Sequence, residues 1–176
     1  MTSRRSSPLM VLSATIALGL AGCSAHVPSS REGNLMSEGA TTVDLPALRK
    51  GVRASQRTLA QFVPENDVLS VDESPNGVLM SCPGGTHRWT GVTTVEYSAG
   101  FDIDSLYATM EEGLAESSEF STKREESRWG GDRLVVEDSA GTRYTIRLVP
   151  HSSKVQIAAS SWCFTVQPGQ TDGGEF

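Results

Sequence analysis

The chain has 176 residues, a formal net charge of −6 at pH 7 and 38% hydrophobic residues. This length fits one small domain with attached segments, and the composition excludes both a fully disordered chain and a polytopic membrane protein. Its 15 basic residues are scattered among 21 acidic ones without forming a basic stripe. We therefore predict no nucleic-acid binding, because affinity for phosphate backbones requires clustered Lys and Arg.

The N-terminus has the organisation of a secretory signal. Arg4 and Arg5 precede an apolar run from Leu9 to Ala21. That run is too short to cross about 30 Å of hydrocarbon as a helix. A charged start, a short apolar segment and small residues at its end are typical of a cleaved export signal, which we assign to residues 1–22.

The end of this signal resembles the bacterial lipobox, with the sequence Leu20-Ala21-Gly22-Cys23. In a lipobox, the cysteine receives a diacylglyceryl group and becomes the first residue of the mature protein. The resemblance implies a lipidated Cys23 and a protein anchored on the extracytoplasmic face of the cell membrane. Two acyl chains are sufficient for stable attachment. An ordinary export signal followed by a chance cysteine is the alternative.

Three further segments follow in the mature chain. Cys23 and the polar residues up to Thr42 form a predicted flexible tether, rich in Ser, Gly, Thr and Pro, that holds the domain roughly 25 Å from the lipid. Residues 43–166 contain the periodic apolar patterns of a single domain. Residues 167–176 are again polar and rich in Gly, and we predict a disordered tail there.

The domain opens with a predicted amphipathic helix. Asp44 stands at its capping position, Pro46 in its first turn, and Pro64 ends it. Apolar residues recur at helical spacing along one face: Leu45, Leu48, Val52, Leu59 and Phe62. The other face carries Arg49, Lys50, Arg53, Gln56 and Arg57, which we interpret as a solvated surface, with a basic binding face as the alternative.

The rest of the domain reads as short strands around a second helix. The runs 67–71 and 78–82 flank a Ser-Pro-Asn-Gly sequence and predict a β-hairpin. A strand over 91–98 and a helix over 102–117, capped by Asp102, follow. Four more strands are predicted at 121–128, 132–137, 142–149 and 154–160. The order α-β-β-β-α-β-β-β-β predicts an α+β fold with both helices packed on one face of a mostly antiparallel, largely meandering sheet.

Cys82 and Cys163 remain after lipidation of Cys23, in a chain that we expect to be exported. Cysteines in an oxidising compartment pair, so we predict a disulfide between them. The bond would place the end of the Val78 strand beside the chain that follows the Val155 strand. A catalytic thiol at Cys82 is the alternative. Trp162 and Phe164 flank Cys163, and we assign them to the core, with an exposed aromatic ligand site as the alternative.

Patterns that would indicate catalysis or a metal are missing from the sequence. None of the three histidines of the mature chain, His26, His87 and His151, lies in a zinc-binding spacing, and no nucleophile elbow is present. Asp102 and Asp104 fit a helix start rather than a calcium loop. We predict no catalytic residues, no metal and no cofactor.

One loop has the composition of a weak ligand site. In Gly84-Gly85-Thr86-His87-Arg88-Trp89, backbone N–H groups, a cation and an aromatic ring come together beside the predicted disulfide. Such a loop suits an anion or a sugar. An ordinary connection is the alternative, because glycine-rich stretches outside a strand–helix context are weak evidence.

Most of the chain resembles the small lipoproteins of actinobacteria. The resemblance rests on the lipobox, the short polar tether, Ser81-Cys82, Trp89-Thr90-Gly91, and a C-terminal Ser161-Trp162-Cys163-Phe164. It implies an envelope protein and supplies no catalytic residues. We expect a non-enzymatic binding or accessory module with an envelope protein partner. The alternatives are a small-molecule binder with a pocket between helices and sheet, and an atypical hydrolase.

Overall fold

Residues 41–128 and 130–170 are described by the computed structural model, and every count below refers to them. The predicted signal peptide, Cys23 and residues 171–176 lie outside this range. The described chain forms helices α1 (Leu45–Ala60) and α2 (Ile103–Ala115), two 3-10 turns (Glu65–Asp67 and Pro83–Gly85) and nine strands: β1 Thr42–Val43, β2 Val68–Glu73, β3 Val78–Ser81, β4 His87–Tyr97, β5 Phe120–Glu126, β6 Asp132–Asp138, β7 Arg143–Leu148, β8 Lys154–Ser160 and β9 Thr165–Val166.

The main sheet has seven strands in the order β2-β4-β8-β7-β6-β5, with β3 also paired to β4. All its ladders are antiparallel. After β4, the chain passes through α2 to the opposite edge at β5. From there it returns strand by strand as a meander to β8, which pairs with β4. The predicted α+β fold is confirmed.

Both helices pack on one face of this sheet. Period-2 alternation along the central strands directs the buried side chains to that face, and the ladders align them in rows, one of which contains Thr93, Ile157, Ile146 and Leu134. These strands and the apolar faces of α1 and α2 form one hydrophobic core. Trp162 packs against this core and Phe164 is fully buried in it, as the sequence predicts.

Each helix is joined to the sheet by one fully buried polar side chain. Gln56 of α1 donates its amide N–H groups to the carbonyl oxygens of Gly91 (3.2 Å) and Ile157 (2.8 Å). In α2, the hydroxyl of Tyr107 lies 3.1 Å from the carbonyl oxygens of both Asp132 and Ile146, and can donate to either. The strand carbonyls thereby fix where each helix crosses the sheet.

The predicted hairpin is wrong. β2 and β3 do not pair with each other but both pair with β4, Val71 opposite Val95 and Val78 opposite Thr90. They form a single edge of the sheet that is interrupted by residues 74–77. The actual hairpin is β3–β4, connected by the turn at Pro83–Gly85. The turn-forming residues 74–77 therefore form a short loop between two strand segments of one edge, and the chain does not reverse direction there.

The start of α1 also differs from the prediction. Asp44 has an extended backbone at the capping position, but its side chain makes no capping hydrogen bond. The side-chain oxygen of Gln170 accepts from the backbone N–H of Leu45 at 2.8 Å instead, while its amide donates to Asp44 at 2.6 Å. A residue 126 positions away thus satisfies the helix end.

The two ends of the domain meet in a short parallel ladder. Thr42 lies opposite Thr165 and Val43 opposite Val166. This ladder includes Thr42 of the predicted tether, and the hydrogen bonds at the start of α1 include Gln170 of the predicted tail.

Candidate functional site

The predicted ligand loop lies mostly within a strand. His87, Arg88 and Trp89 open β4, and His87 exchanges two backbone hydrogen bonds with Phe164, at 2.8 and 2.7 Å. Arg88 is exposed, whereas Trp89 is fully buried in the core. The three side chains therefore do not converge on one surface, because alternate residues of a strand point to opposite faces of the sheet.

The predicted disulfide is confirmed. It joins Cys82, directly after β3, to Cys163, which follows β8, with a Cα–Cα distance of 6.1 Å. The bond closes a separation of 81 residues. It also excludes the free catalytic thiol at Cys82 that the sequence left as an alternative.

The excursion at residues 74–77, here called the insert, is held against the domain by α1. Arg53 donates to the carbonyl oxygens of Ser74 and, at 2.9 Å, Pro75, and its guanidinium lies 5.6 Å from the centre of the Trp89 ring. Gly77 lies so close to the Trp89 ring that a Cβ at residue 77 would be 2.3 Å from Trp89 Cε2. Trp89 is therefore a structural support for the insert.

The arginines on the basic face of α1 thus bind other parts of the same domain. Arg57 forms a bidentate pair with Glu73 at 2.6 and 2.7 Å, and Arg49 reaches the carbonyl of Pro75 at 3.4 Å. The hydrogen bond from Arg57 holds the pKa of Glu73 below its usual value, and burial opposes this shift. The prediction of a solvated face is wrong for Gln56, which is fully buried because it bonds to the sheet, and incomplete for the arginines, which join the edge strand to the helix.

The edge formed by β2 and β3, here called the apolar edge, exposes several large hydrophobic side chains, with Val71 on the helix face of the sheet and Val78 and Met80 on the other face. Among the described residues, four of the five exposed large hydrophobics belong to it: Leu69, Val71, Val78 and Met80, whereas the fifth, Leu148, is on β7. No sequence motif predicted this surface. Its signal is present in the sequence, since β2 and β3 contain neither Lys, Arg nor Pro, the residues that usually protect an edge.

A groove of about 560 Å³ lies between β2 and the C-terminal turn of α1. Its apolar walls are Ala60, Val63, Val68 and Val71, and its polar lining is Arg57, Gln61 and Glu65. A volume of this size accommodates one or two side chains of a bound chain. We call it the α1–β2 groove.

A second cavity, of about 530 Å³, lies at the start of α2. Apolar Ile103 and Leu148 line it together with Asp104, Tyr107, Asp132 and Arg147. Burial raises the pKa of Tyr107 to about 12, and the neighbouring Asp104 and Asp132 add to this shift. The Tyr107 hydroxyl therefore stays protonated at neutral pH and acts as a hydrogen-bond donor.

The remaining predicted residues occupy structural positions. Asp102 caps α2, accepting from the Asp104 N–H at 3.1 Å and from the Ser105 hydroxyl at 2.6 Å; the Ser105 bond is the main cause of its lowered pKa. His151 lies in the β7–β8 turn with a positive φ of 57°. Across residues 41–128 and 130–170, no group of three or more His, Cys, Asp or Glu is arranged to hold a metal ion.

Comparisons with protein-family models, with curated proteins and with solved structures find no match to this chain. In the described part of the chain, neither helix combines the length and apolarity that crossing a membrane requires.

Proposed function

We propose that this chain is a lipid-anchored lipoprotein of the extracytoplasmic membrane face whose domain binds an envelope protein partner without catalysing a reaction. The observation that carries the proposal is how the three cysteines are used. Cys82 and Cys163 form a disulfide, the bond expected of exported domains, and the remaining Cys23 ends the lipobox Leu20-Ala21-Gly22-Cys23.

The apolar edge supports the binding role. Its exposed large hydrophobic side chains adjoin β2, the terminal strand of the sheet order, and an unprotected edge strand is a template for pairing with another chain. In a tethered domain, such a surface favours association with a second component of the envelope. Cys82, whose free thiol was the alternative to the disulfide, is bonded to Cys163.

Metabolic labelling with an alkyne palmitate in the chain's own host tests the anchor. We expect label in the membrane fraction for the unmodified chain and none for Cys23→Ser, while the tether control Ser30→Ala keeps it. Label that survives Cys23→Ser would overturn the anchor. Proximity labelling from the same chains should then enrich one envelope protein with the anchored form only, and the absence of any such protein would contradict a binding module.

A second candidate function is suggested by the cavity at the start of α2. It combines apolar walls with Asp104, Tyr107 and Asp132, the composition of a small-molecule site. A thermal-shift screen of small polar cations distinguishes the two functions. A ligand whose stabilisation is lost in Asp104→Asn, and kept in Val71→Lys at the apolar edge, would favour the small-molecule binder.

A further inference from the structure

We propose that β2 accepts an extended segment of a protein partner as an additional strand, and that this segment places an apolar side chain in the α1–β2 groove and Lys or Arg beside the carboxylates around β2. The inference rests on the proposed binding function and specifies its site and the chemistry of the partner.

The backbone of β2 is available for pairing. β2 is the terminal strand of the sheet order, so one side of it has no ladder partner among the described residues. Ser74 donates its N–H to the carbonyl of Val92 in β4. Because peptide groups alternate in direction along a strand, those of Asp72 also point towards β4, and those of Val71 and Glu73 point outward. An added strand can bond to these outward groups.

The α1–β2 groove lies where the side chain of an added-strand residue opposite Val71 would be placed. Val71 is opposite Val95, whose side chain is fully buried on the helix face of the sheet. A residue of the added strand opposite Val71 would point to the same face, towards the walls formed by Ala60, Val63 and Val68. The side chain of Val71 itself is 49% exposed, so an apolar neighbour would remove apolar surface from water.

The charges around β2 define the partner. Between residues 65 and 73, all four ionisable side chains are carboxylates: Glu65, Asp67, Asp72 and Glu73. Arg57 pairs with Glu73 and the charge of Arg53 also acts on it, so the carboxylates without an ion pair among the described residues are Glu65, Asp67 and Asp72. Electrostatic complementarity therefore favours a strand that carries Lys or Arg next to its apolar residue.

The same charges argue against a second copy of this chain as the occupant. Antiparallel self-pairing centred on Ser70 would place Asp67 of one copy opposite Glu73 of the other. Parallel self-pairing in register would place each carboxylate beside its own equivalent. Like charges across a strand pair are destabilising, so a basic partner segment fits this edge better than a copy of it.

Fluorescence anisotropy with two labelled hexapeptides tests the inference on the exported, disulfide-bonded chain. The first peptide alternates Val and Lys, and the second alternates Val and Glu. We expect the Lys peptide to bind at least tenfold more tightly than the Glu peptide. Amide exchange at Val71 and Glu73 should slow when the Lys peptide is bound, since their N–H groups would then join a ladder.

Three variants separate strand addition from general attraction of a basic peptide to an acidic protein. Val71→Lys blocks the groove, and Val71→Pro removes one outward N–H without breaking a bond to β4. Each should weaken binding of the Lys peptide at least tenfold. Leu148→Lys adds the same charge as Val71→Lys at the exposed apolar residue outside the apolar edge, and should leave affinity within twofold.

The inference is overturned if the Lys peptide does not bind, or if it binds equally to the unmodified chain and to the two Val71 variants. A dimer in light scattering that Val71→Lys dissociates would also overturn it, in favour of a second copy. These outcomes do not depend on the lipid. Palmitate label that survives Cys23→Ser would contradict the lipid anchor but would not affect the peptide result. If proximity labelling enriches a partner equally with the unmodified chain and with Val71→Lys, only the strand-addition inference is contradicted.

Discussion

The two edges of the main sheet have opposite surface chemistry. β5, at one edge, carries four consecutive charged residues, Lys123 to Glu126. Arg124 pairs with Glu111 of α2 at 3.0 Å, and Glu125 accepts from Arg133 at 2.8 Å. β2 and β3, at the other edge, expose Leu69, Val71, Val78 and Met80. One sheet therefore has one edge that resists pairing and one that permits it.

This difference shows how a small domain can direct association to one side. An unpaired edge strand is a template for any extended chain, and charged side chains are the common protection against it. The charged edge has that protection, with ion pairs that tie it to α2 and to β6. At the apolar edge, β2 carries only the carboxylates of Asp72 and Glu73 and β3 carries no charge, while Arg53 and Arg57 join this edge to α1. An edge that such contacts hold in place loses less conformational entropy on association than an edge without them.

The largest expected effect concerns the disulfide at the end of the apolar edge. Replacing both cysteines, Cys82→Ser with Cys163→Ser, should lower the free energy of unfolding by about 4.5 kcal/mol, because the bond restricts a long loop in the unfolded chain. Urea unfolding measures the loss, and the unmodified protein under reducing conditions is the control. Hydrogen exchange should accelerate most in β3 and β4. An equal acceleration in β5 would remove the distinction between the two edges.

A smaller effect is expected where Trp89 supports the insert. A Cβ on Gly91 would lie 2.2 Å from Trp89 Cη2, so Gly91→Ala should destabilise the protein by about 1–3 kcal/mol through displacement of the buried ring. The matched control is Gly51→Ala in α1, where the new methyl group meets open space and should stabilise the helix by about 0.5–1 kcal/mol. Thermal unfolding and near-ultraviolet dichroism report both changes. Equal destabilisation by the two variants would contradict the close packing of the ring.

The smallest effect is the acid sensitivity of the charged edge. The hydrogen bond from Arg133 holds the pKa of Glu125 below its usual value, and the charges of Arg143 and Lys123 add to this, while desolvation opposes it. A depressed folded-state pKa stabilises the protein above the unfolded value of about 4.5, and this stabilisation is lost as the pH falls through the lower folded value. Glu125→Gln should therefore show a shallower loss of stability between neutral pH and pH 3.

Glu73→Gln at the apolar edge is the variant that corresponds to Glu125→Gln. The hydrogen bond from Arg57 lowers the pKa of Glu73, as the hydrogen bond from Arg133 lowers that of Glu125. The acid dependence of Glu73→Gln should also flatten, and 1 M salt should reduce both differences because the pairs are accessible to solvent. Unfolding curves across pH for the three proteins make the comparison. A Glu125→Gln protein that loses as much stability in acid as the unmodified one would show that these ion pairs do not act on folding.

Several elements of the fold were predictable because their signals are local. The apolar spacing of Leu48, Val52 and Leu59 defines α1, and strict alternation from Lys154 to Ser160 defines β8 with the bounds found in the structure. The Asp102 cap was predictable for the same reason, since it acts within one turn of helix. The disulfide followed from counting cysteines in a chain expected to be exported.

The errors arose where distant residues decide the outcome. Pro75, Asn76 and Gly77 have the conformational preferences of a hairpin turn, but the pairing of β2 and β3 depends on β4 and on the space beneath Trp89. The helix cap was assigned to Asp44, the adjacent residue, whereas Gln170 provides it. The side chains of His87, Arg88 and Trp89 do not share one surface, because β4 begins at His87 and directs Arg88 and Trp89 to opposite faces.

The sequence by itself determined the α+β class, the helices, the order of the strands along the chain and the cysteine pair. Each of these depends on periodicity, composition or capping within a few residues. Only the tertiary structure decided that β2 and β3 share one edge, that the α1 arginines secure it, and that a groove opens between β2 and α1. Those features require residues far apart in the chain to meet, and their free energy comes from packing and pairing that no local pattern encodes.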